Sequence, residues 1–145
     1  MKVYLDNCSL QRPLDDKSQL RIRLEAEAVL IVLDLTKAGK IQLVASDALD
    51  YEIGRNPNRA RQEYALETIA GFPNYVRLSE AVEQRANELN QYGIDTLDSL
   101  HLASAEAGGA DFFCTCDDAF LKKAKRVVQG KPRVVSPLEL AEELE

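Results

Sequence analysis

Residues 94–124 read IDTLDSLHLASAEAGGADFFCTCDDAFLKKA, and this stretch decides the fold. Thr96–Ala107 carries the helix-forming residues Leu97, Leu100, Leu102 and Ala103 to Ala105, and Gly108-Gly109 stops it. Asp111–Thr115 is a short apolar strand, and a second helix follows over 117–127. A strand set between two helices is the unit of a chain that crosses back and forth over a parallel sheet.

The pattern extends in both directions. Lys2–Leu5 reads as the first strand, and 15–40 as a long amphipathic helix with Leu24, Ala28, Ile31 and Leu35 at helical spacing. Asp15 and Asp16 are expected in its first turn, where acids favour the helix dipole, and Glu25 and Glu27 on its solvated face. Ile41–Ala45 is a second strand. Ser46 is an N-cap candidate for a helix over 47–55, which Asn56-Pro57-Asn58 breaks. A helix over 59–71, a weak strand over 75–78 and a helix over 80–92 capped by Ser79 follow. Arg133–Val135 is the last strand, and Ser136-Pro137 opens a C-terminal helix over 137–145. The expected architecture is one α/β domain over residues 1–145, a three-layer α/β/α sandwich around a central parallel sheet.

Composition narrows the function classes. The chain is 46% hydrophobic and 29% charged, as in ordinary globular domains. Twenty-four acids against 18 bases give a net charge of -6, which argues against a general polyanion-binding surface. The longest apolar run, Ala28–Leu33, cannot span a bilayer, and the start of the chain has no secretory leader pattern. Three cysteines without framework spacing suit a reducing compartment, so a cytoplasmic protein is expected.

In open α/β folds the ligand site lies outside the carboxyl ends of the strands. Asp6 ends the first strand and Asp117 ends the strand DFFCTC, so both are expected at the same edge of the sheet. Asp98 and Glu52 each sit at the margin of an apolar helix face. Gathered carboxylates repel unless a cation neutralises them, and hard ions such as Mg2+ or Mn2+ prefer oxygen donors.

These segments resemble the motifs of the PIN-domain family. VYLDNCSL resembles its first strand and first acid, DYEI its second acidic motif, GIDTLDSLHLASA its third and FFCTCDDAFLKKA its fourth. The order is kept along nearly the whole chain. Ser99 and Cys116 stand where the family often has Ala and Thr. The resemblance implies a divalent-metal-dependent ribonuclease with Asp6, Glu52, Asp98 and Asp117 as metal-binding and catalytic acids. Its products would carry a 5′-phosphate and a 3′-hydroxyl. Thr115 would be a supporting polar residue, and Asp118 or Asp95 could add a water-mediated contact. Many relatives are toxins of toxin–antitoxin pairs, so the resemblance extends to a possible antitoxin partner and a homodimer.

Other readings stand beside this one. The fold could be a catalytically silent module that binds RNA or a partner protein. A phosphoryl-transfer receiver domain shares the fold class but lacks its Asp and Lys pattern here. His101 is the sole histidine, and a hydrogen-bonded core histidine is the expected role. Cys8, Cys114, Cys116 and His101 could form a zinc site, although their spacing is not ligand-like. Arg12, Lys17, Arg21 and Arg23 cluster after Asp6, and Arg55, Arg59 and Arg61 after Glu52. Either group could position phosphates or simply face solvent.

Overall fold

The computed structural model describes residues 1–144. Its five strands are β1 Lys2–Leu5, β2 Gln42–Ser46, β3 Asn74–Val76, β4 Phe112–Cys114 and β5 Arg133–Val135, in the order β3-β2-β1-β4-β5. All four pairings are parallel, with Leu5 opposite Cys114 and Val3 opposite Leu43.

Successive side chains of a strand point to opposite faces, and each face has its own core. Val3, Leu5, Leu43, Ala45, Phe112, Cys114 and Val135 pack on one side. They meet Val32 of α2 (Leu20–Lys37), Leu49 and Ile53 of α3 (Asp47–Gly54), Ile69 of α4 (Arg59–Ala70) and Leu140 of α8 (Pro137–Glu143). Tyr4, Val44, Phe113 and Val134 pack on the other side. There they meet Leu89 of α5 (Glu80–Gln91), Leu102 of α6 (Thr96–Ala107) and Phe120 of α7 (Asp118–Val127). Each such large apolar side chain, fully buried, contributes about 1.5–3 kcal/mol. The result is the expected three-layer sandwich. No helix among the described residues is long and apolar enough to cross a membrane.

The strand order places a crevice. From β1 the chain steps outward to β2 and β3, then returns to the other side of β1 for β4 and β5. The winding reverses between β1 and β4, and ligands bind at the carboxyl ends of the strands beside such a reversal.

Several expectations need correction. Asp6 caps a short helix, α1 (Asn7–Gln11), and a 3-10 turn over Arg12–Leu14 follows it. The long helix therefore starts at Leu20, after an N-cap at Gln19, and Asp15 and Asp16 precede it. Asp15 instead pairs with Arg12 and Arg61, each at 2.8 Å. The buried stripe of α2 is Glu25, Ala26, Ala28, Val29 and Val32, while Leu24 and Ile31 are exposed. Glu25 is buried, not solvated, because Arg12 and Arg21 reach it at 3.2 and 3.6 Å. Glu145, read as the end of the last helix, lies outside the described residues.

Candidate active site

Asp6 is the first residue past β1. Its N–H donates to Cys114 O of β4 at 3.1 Å, so the sheet itself fixes its backbone. Its Oδ1 accepts from Ser9 N–H at 3.0 Å and from Cys8 Sγ at 3.1 Å. The residue is buried, and burial raises its carboxyl pKa against the opposing pull of Thr115, Cys8 and Ser9. Thr115 is also buried, and its Oγ1 accepts from Asp117 N–H at 3.1 Å.

Asp98 lies in the first turn of α6, whose N-cap is Asp95; Asp98 N–H donates to Asp95 Oδ1 at 2.9 Å. Its carboxyl is pushed up to about 7. Burial is the main cause, followed by the negative charges of Asp95 and Asp6, with Asp117 adding to them. Asp117 does not end a strand, because β4 stops at Cys114. It is the exposed N-cap of α7, with Oδ1 accepting from Phe120 N–H at 3.1 Å. Asp95, Asp98 and Asp117 line one cavity of about 160 Å³.

Glu52, in the last turn of α3, is half-buried, and its Oε1 lies 2.9 Å from His101 Nε2 of α6. It lines a separate depression of about 420 Å³ with Asn7, Arg55 and Leu97. The fold thus brings Asp6, Asp98 and Asp117 into one electrostatic neighbourhood and sets Glu52 in an adjoining hollow. The acids are not drawn into a cage. Among the described residues, no three His, Cys, Asp or Glu side chains are grouped to hold a metal ion.

Other candidates are placed elsewhere. Asp118 is exposed and turned to Arg21. Arg12, Arg21, Arg59 and Arg61 are held by acids of the chain, whereas Arg55 lies over the Tyr51 ring, 5.4 Å from its centroid. His101 is a buried, hydrogen-bonded histidine whose Nδ1 lies 2.6 Å from Tyr4 Oη. Both ring nitrogens are engaged, so none is free for the cysteines. Tyr4 and Ser46, 2.7 Å apart, complete this buried array. In the sequence Tyr4 reads as a strand residue and Ser46 as a helix cap, and a tyrosine among aliphatic strand residues is the one local signal of this array.

The PIN domain family model matches residues 21–126, which include Glu52, Asp98 and Asp117 but not Asp6. The chain belongs to the PIN domain family. This PIN domain is similar in fold to a chain of VapBC2 from Rickettsia felis, solved bound to a DNA fragment from the promoter. The TM-score is 0.60 at 16% identity, covering 94% of this chain and 97% of that one. It is also similar to a chain of FitAcB from Neisseria gonorrhoeae, with a TM-score of 0.56 at 17% identity, covering 94% and 98%. No curated protein matches significantly. The donor chemistry of the PIN domain's acids suits a hard cation: each offers carboxylate oxygen, and Asp98 is pushed up to about 7 by burial and then by its acidic neighbours. Mg2+ retains several waters and needs only one or two carboxylates, so a ready three-acid cage is not required.

Proposed function

We propose that this chain is an endoribonuclease that hydrolyses phosphodiesters of single-stranded RNA with Mg2+ or Mn2+ held by Asp6, Glu52, Asp98 and Asp117. The observation that carries this reading is the carboxyl of Asp98. It is half-buried and pushed up to about 7 by burial and by acids from three other positions, Asp95, Asp6 and Asp117. Such crowding of carboxylates at a crevice costs stability and marks functional sites.

A bound divalent ion would supply an activated water and charge stabilisation at the phosphoryl oxygens. The chain supplies the orientation. Asp6 is fixed by the β1–β4 pairing and by Ser9 N–H and Cys8, all engaging Oδ1 or the backbone. Asp117 is fixed through Oδ1 by Phe120 N–H, and Glu52 through Oε1 by His101. Asp117 and Glu52 therefore each keep one oxygen outside the bonds that orient them, while Asp6 is held by Thr115 as well as by Ser9 and Cys8.

The likeness to VapBC2 and FitAcB chains supports a toxin of a toxin–antitoxin pair with an antitoxin partner; a homodimer is the assembly that the family resemblance implies. The family match over residues 21–126 favours a nuclease of that kind, and we place it in the cytoplasm. The separation of Glu52 from the other three acids favours a second reading, a catalytically silent module that binds RNA or a partner protein without turnover.

The deciding experiment is cleavage of single-stranded RNA by wild type, Asp6→Asn and Asp98→Asn with Mg2+ or Mn2+, and with EDTA to expose contaminants. Loss of cleavage in both variants and in EDTA is expected. Equal activity in all three proteins would overturn the site, and metal-free RNA binding with no turnover would establish the silent module.

A further inference from the structure

Ser46, Tyr4, His101 and Glu52 come from β2, β1, α6 and α3, yet their polar atoms form one continuous line. Leu49 N–H donates to Ser46 Oγ at 3.1 Å. Ser46 Oγ is 2.7 Å from Tyr4 Oη, Tyr4 Oη is 2.6 Å from His101 Nδ1, and His101 Nε2 is 2.9 Å from Glu52 Oε1. Ser46 and Tyr4 are fully buried and His101 is 1% exposed, so water does not complete their bonding.

Counting hydrogens gives the line a direction. Its first donor is a backbone N–H, which cannot be reversed. Suppose Ser46 donates to Tyr4, Tyr4 donates to Nδ1, and Nε2–H donates to the Glu52 carboxylate. Every hydrogen then has an acceptor, and every buried atom has a partner. The reverse order would have Tyr4 donate to Ser46, leaving the serine hydrogen without an acceptor among its bonded neighbours. It would also require a proton on Nδ1. Nε2 could then face Glu52 only if a further proton sat on the ring or on the carboxyl. Burying an unpaired hydroxyl and adding a proton both cost free energy.

We infer that His101 is the neutral Nε2–H tautomer, set by the Ser46–Tyr4 relay, and that it is a positioning residue that fixes the Glu52 carboxylate in the hollow adjoining the acidic rim. This deepens the nuclease reading, on which its functional consequence rests; the tautomer itself does not. The logic is that of a metal-binding side chain oriented by a buried partner behind it, here with the carboxylate in front and the imidazole behind.

The chain has one histidine, so nitrogen-15 labelling of histidine gives one pair of ring signals, free of overlap. In metal-free wild type at neutral pH we expect a protonated Nε2 and a bare Nδ1. A bare Nε2, or an imidazolium with both nitrogens protonated, would overturn the inference without any reference to activity. Tyr4→Phe keeps the ring that stacks on Phe113 at 5.1 Å and removes only the hydroxyl. It should relax the tautomer preference and raise the Mn2+ concentration for half-maximal broadening of the histidine signals by about 10-fold to 100-fold, the usual cost of losing an outer partner. RNA cleavage should require the same excess of Mn2+ while KM for RNA stays unchanged. A folded Tyr4→Phe protein with wild-type Mn2+ dependence in both assays would overturn the positioning role. If wild type never cleaves RNA, the nuclease reading fails, and the ring signals still decide the tautomer.

Discussion

Arg21 clasps Asp118 through two parallel hydrogen bonds, Nη1 to Oδ2 at 2.7 Å and Nη2 to Oδ1 at 2.6 Å. The fork joins the first turn of α2 to the first residue of α7 and holds the Asp118 carboxyl below the usual carboxylate range. Asp117, its neighbour, forms no ion pair among the described residues and borders the cavity that Asp95 and Asp98 line. Two adjacent aspartates are therefore committed to different tasks.

Asp117→Asn should lower RNA cleavage by more than about 10-fold, since even outer-sphere partners of a metal site cost that much. Asp118→Asn should retain activity within a factor of a few, because its carboxylate already serves Arg21. Initial cleavage rates at saturating Mn2+ compare the two. Equal losses would show that Asp118 belongs to the site after all.

The fold was legible because both faces of the sheet are covered, which turns β1, β2 and β4 into nearly unbroken apolar runs bounded by helix caps. Asp6 was legible as an acid against an apolar strand. The helix it caps was not, since Asn7–Gln11 is only five residues long and too short to show a helical period. Glu25 was hidden for a different reason. Its burial depends on Arg12, thirteen positions earlier, and a pairing across a turn leaves no trace in local periodicity. The Ser46–Tyr4–His101–Glu52 line was equally invisible, because four separate elements must be placed in space before their polar atoms meet.

Gly108 and Gly109 should fail for different reasons when replaced by alanine. A Cβ on Gly108 would stand 2.9 Å from Val76 Cγ2 and 3.0 Å from Val44 Cγ1, in the core between α6 and the sheet. Gly109 has open space but a φ of +70°. Gly108→Ala should cost about 1–3 kcal/mol by overpacking, and Gly109→Ala about 1–2 kcal/mol by backbone strain. Pairing Gly108→Ala with Val76→Ala should restore part of the loss, whereas Val76→Ala should do nothing for Gly109→Ala. Urea unfolding of the four proteins separates the cases.

Glu25→Ala should destabilise the chain by on the order of 2–3 kcal/mol. Removing one member of a buried ion pair strands the other, and the partial exposure of Arg12 moderates the usual cost. The Arg59–Glu63 pair on α4, with both side chains well exposed, is the control: Glu63→Ala should change stability by less than about 1 kcal/mol. Thermal unfolding measured side by side would show a clear gap. A Glu25→Ala protein as stable as wild type would mean that the Arg12–Glu25 contact contributes nothing.

Asp98→Asn should be inactive yet more stable than wild type in metal-free buffer. The folded protein holds this carboxyl near 7, whereas an unfolded chain ionises it near 4, so the unfolded state binds fewer protons between those values. Wild type should therefore gain stability as pH falls from about 8 toward 4, and the penalty should be fully present above 7. Removing the charge abolishes that penalty. With allowance for solvent screening at a half-buried site, the gain at pH 8 should be on the order of 1–2 kcal/mol. It should shrink toward zero near pH 4, where the wild-type carboxyl is protonated in the folded state. Urea unfolding of both proteins at pH 5 and pH 8, with EDTA present, checks the sign. A variant less stable than wild type at pH 8 would show that burial and the neighbouring acids do not penalise the Asp98 carboxylate.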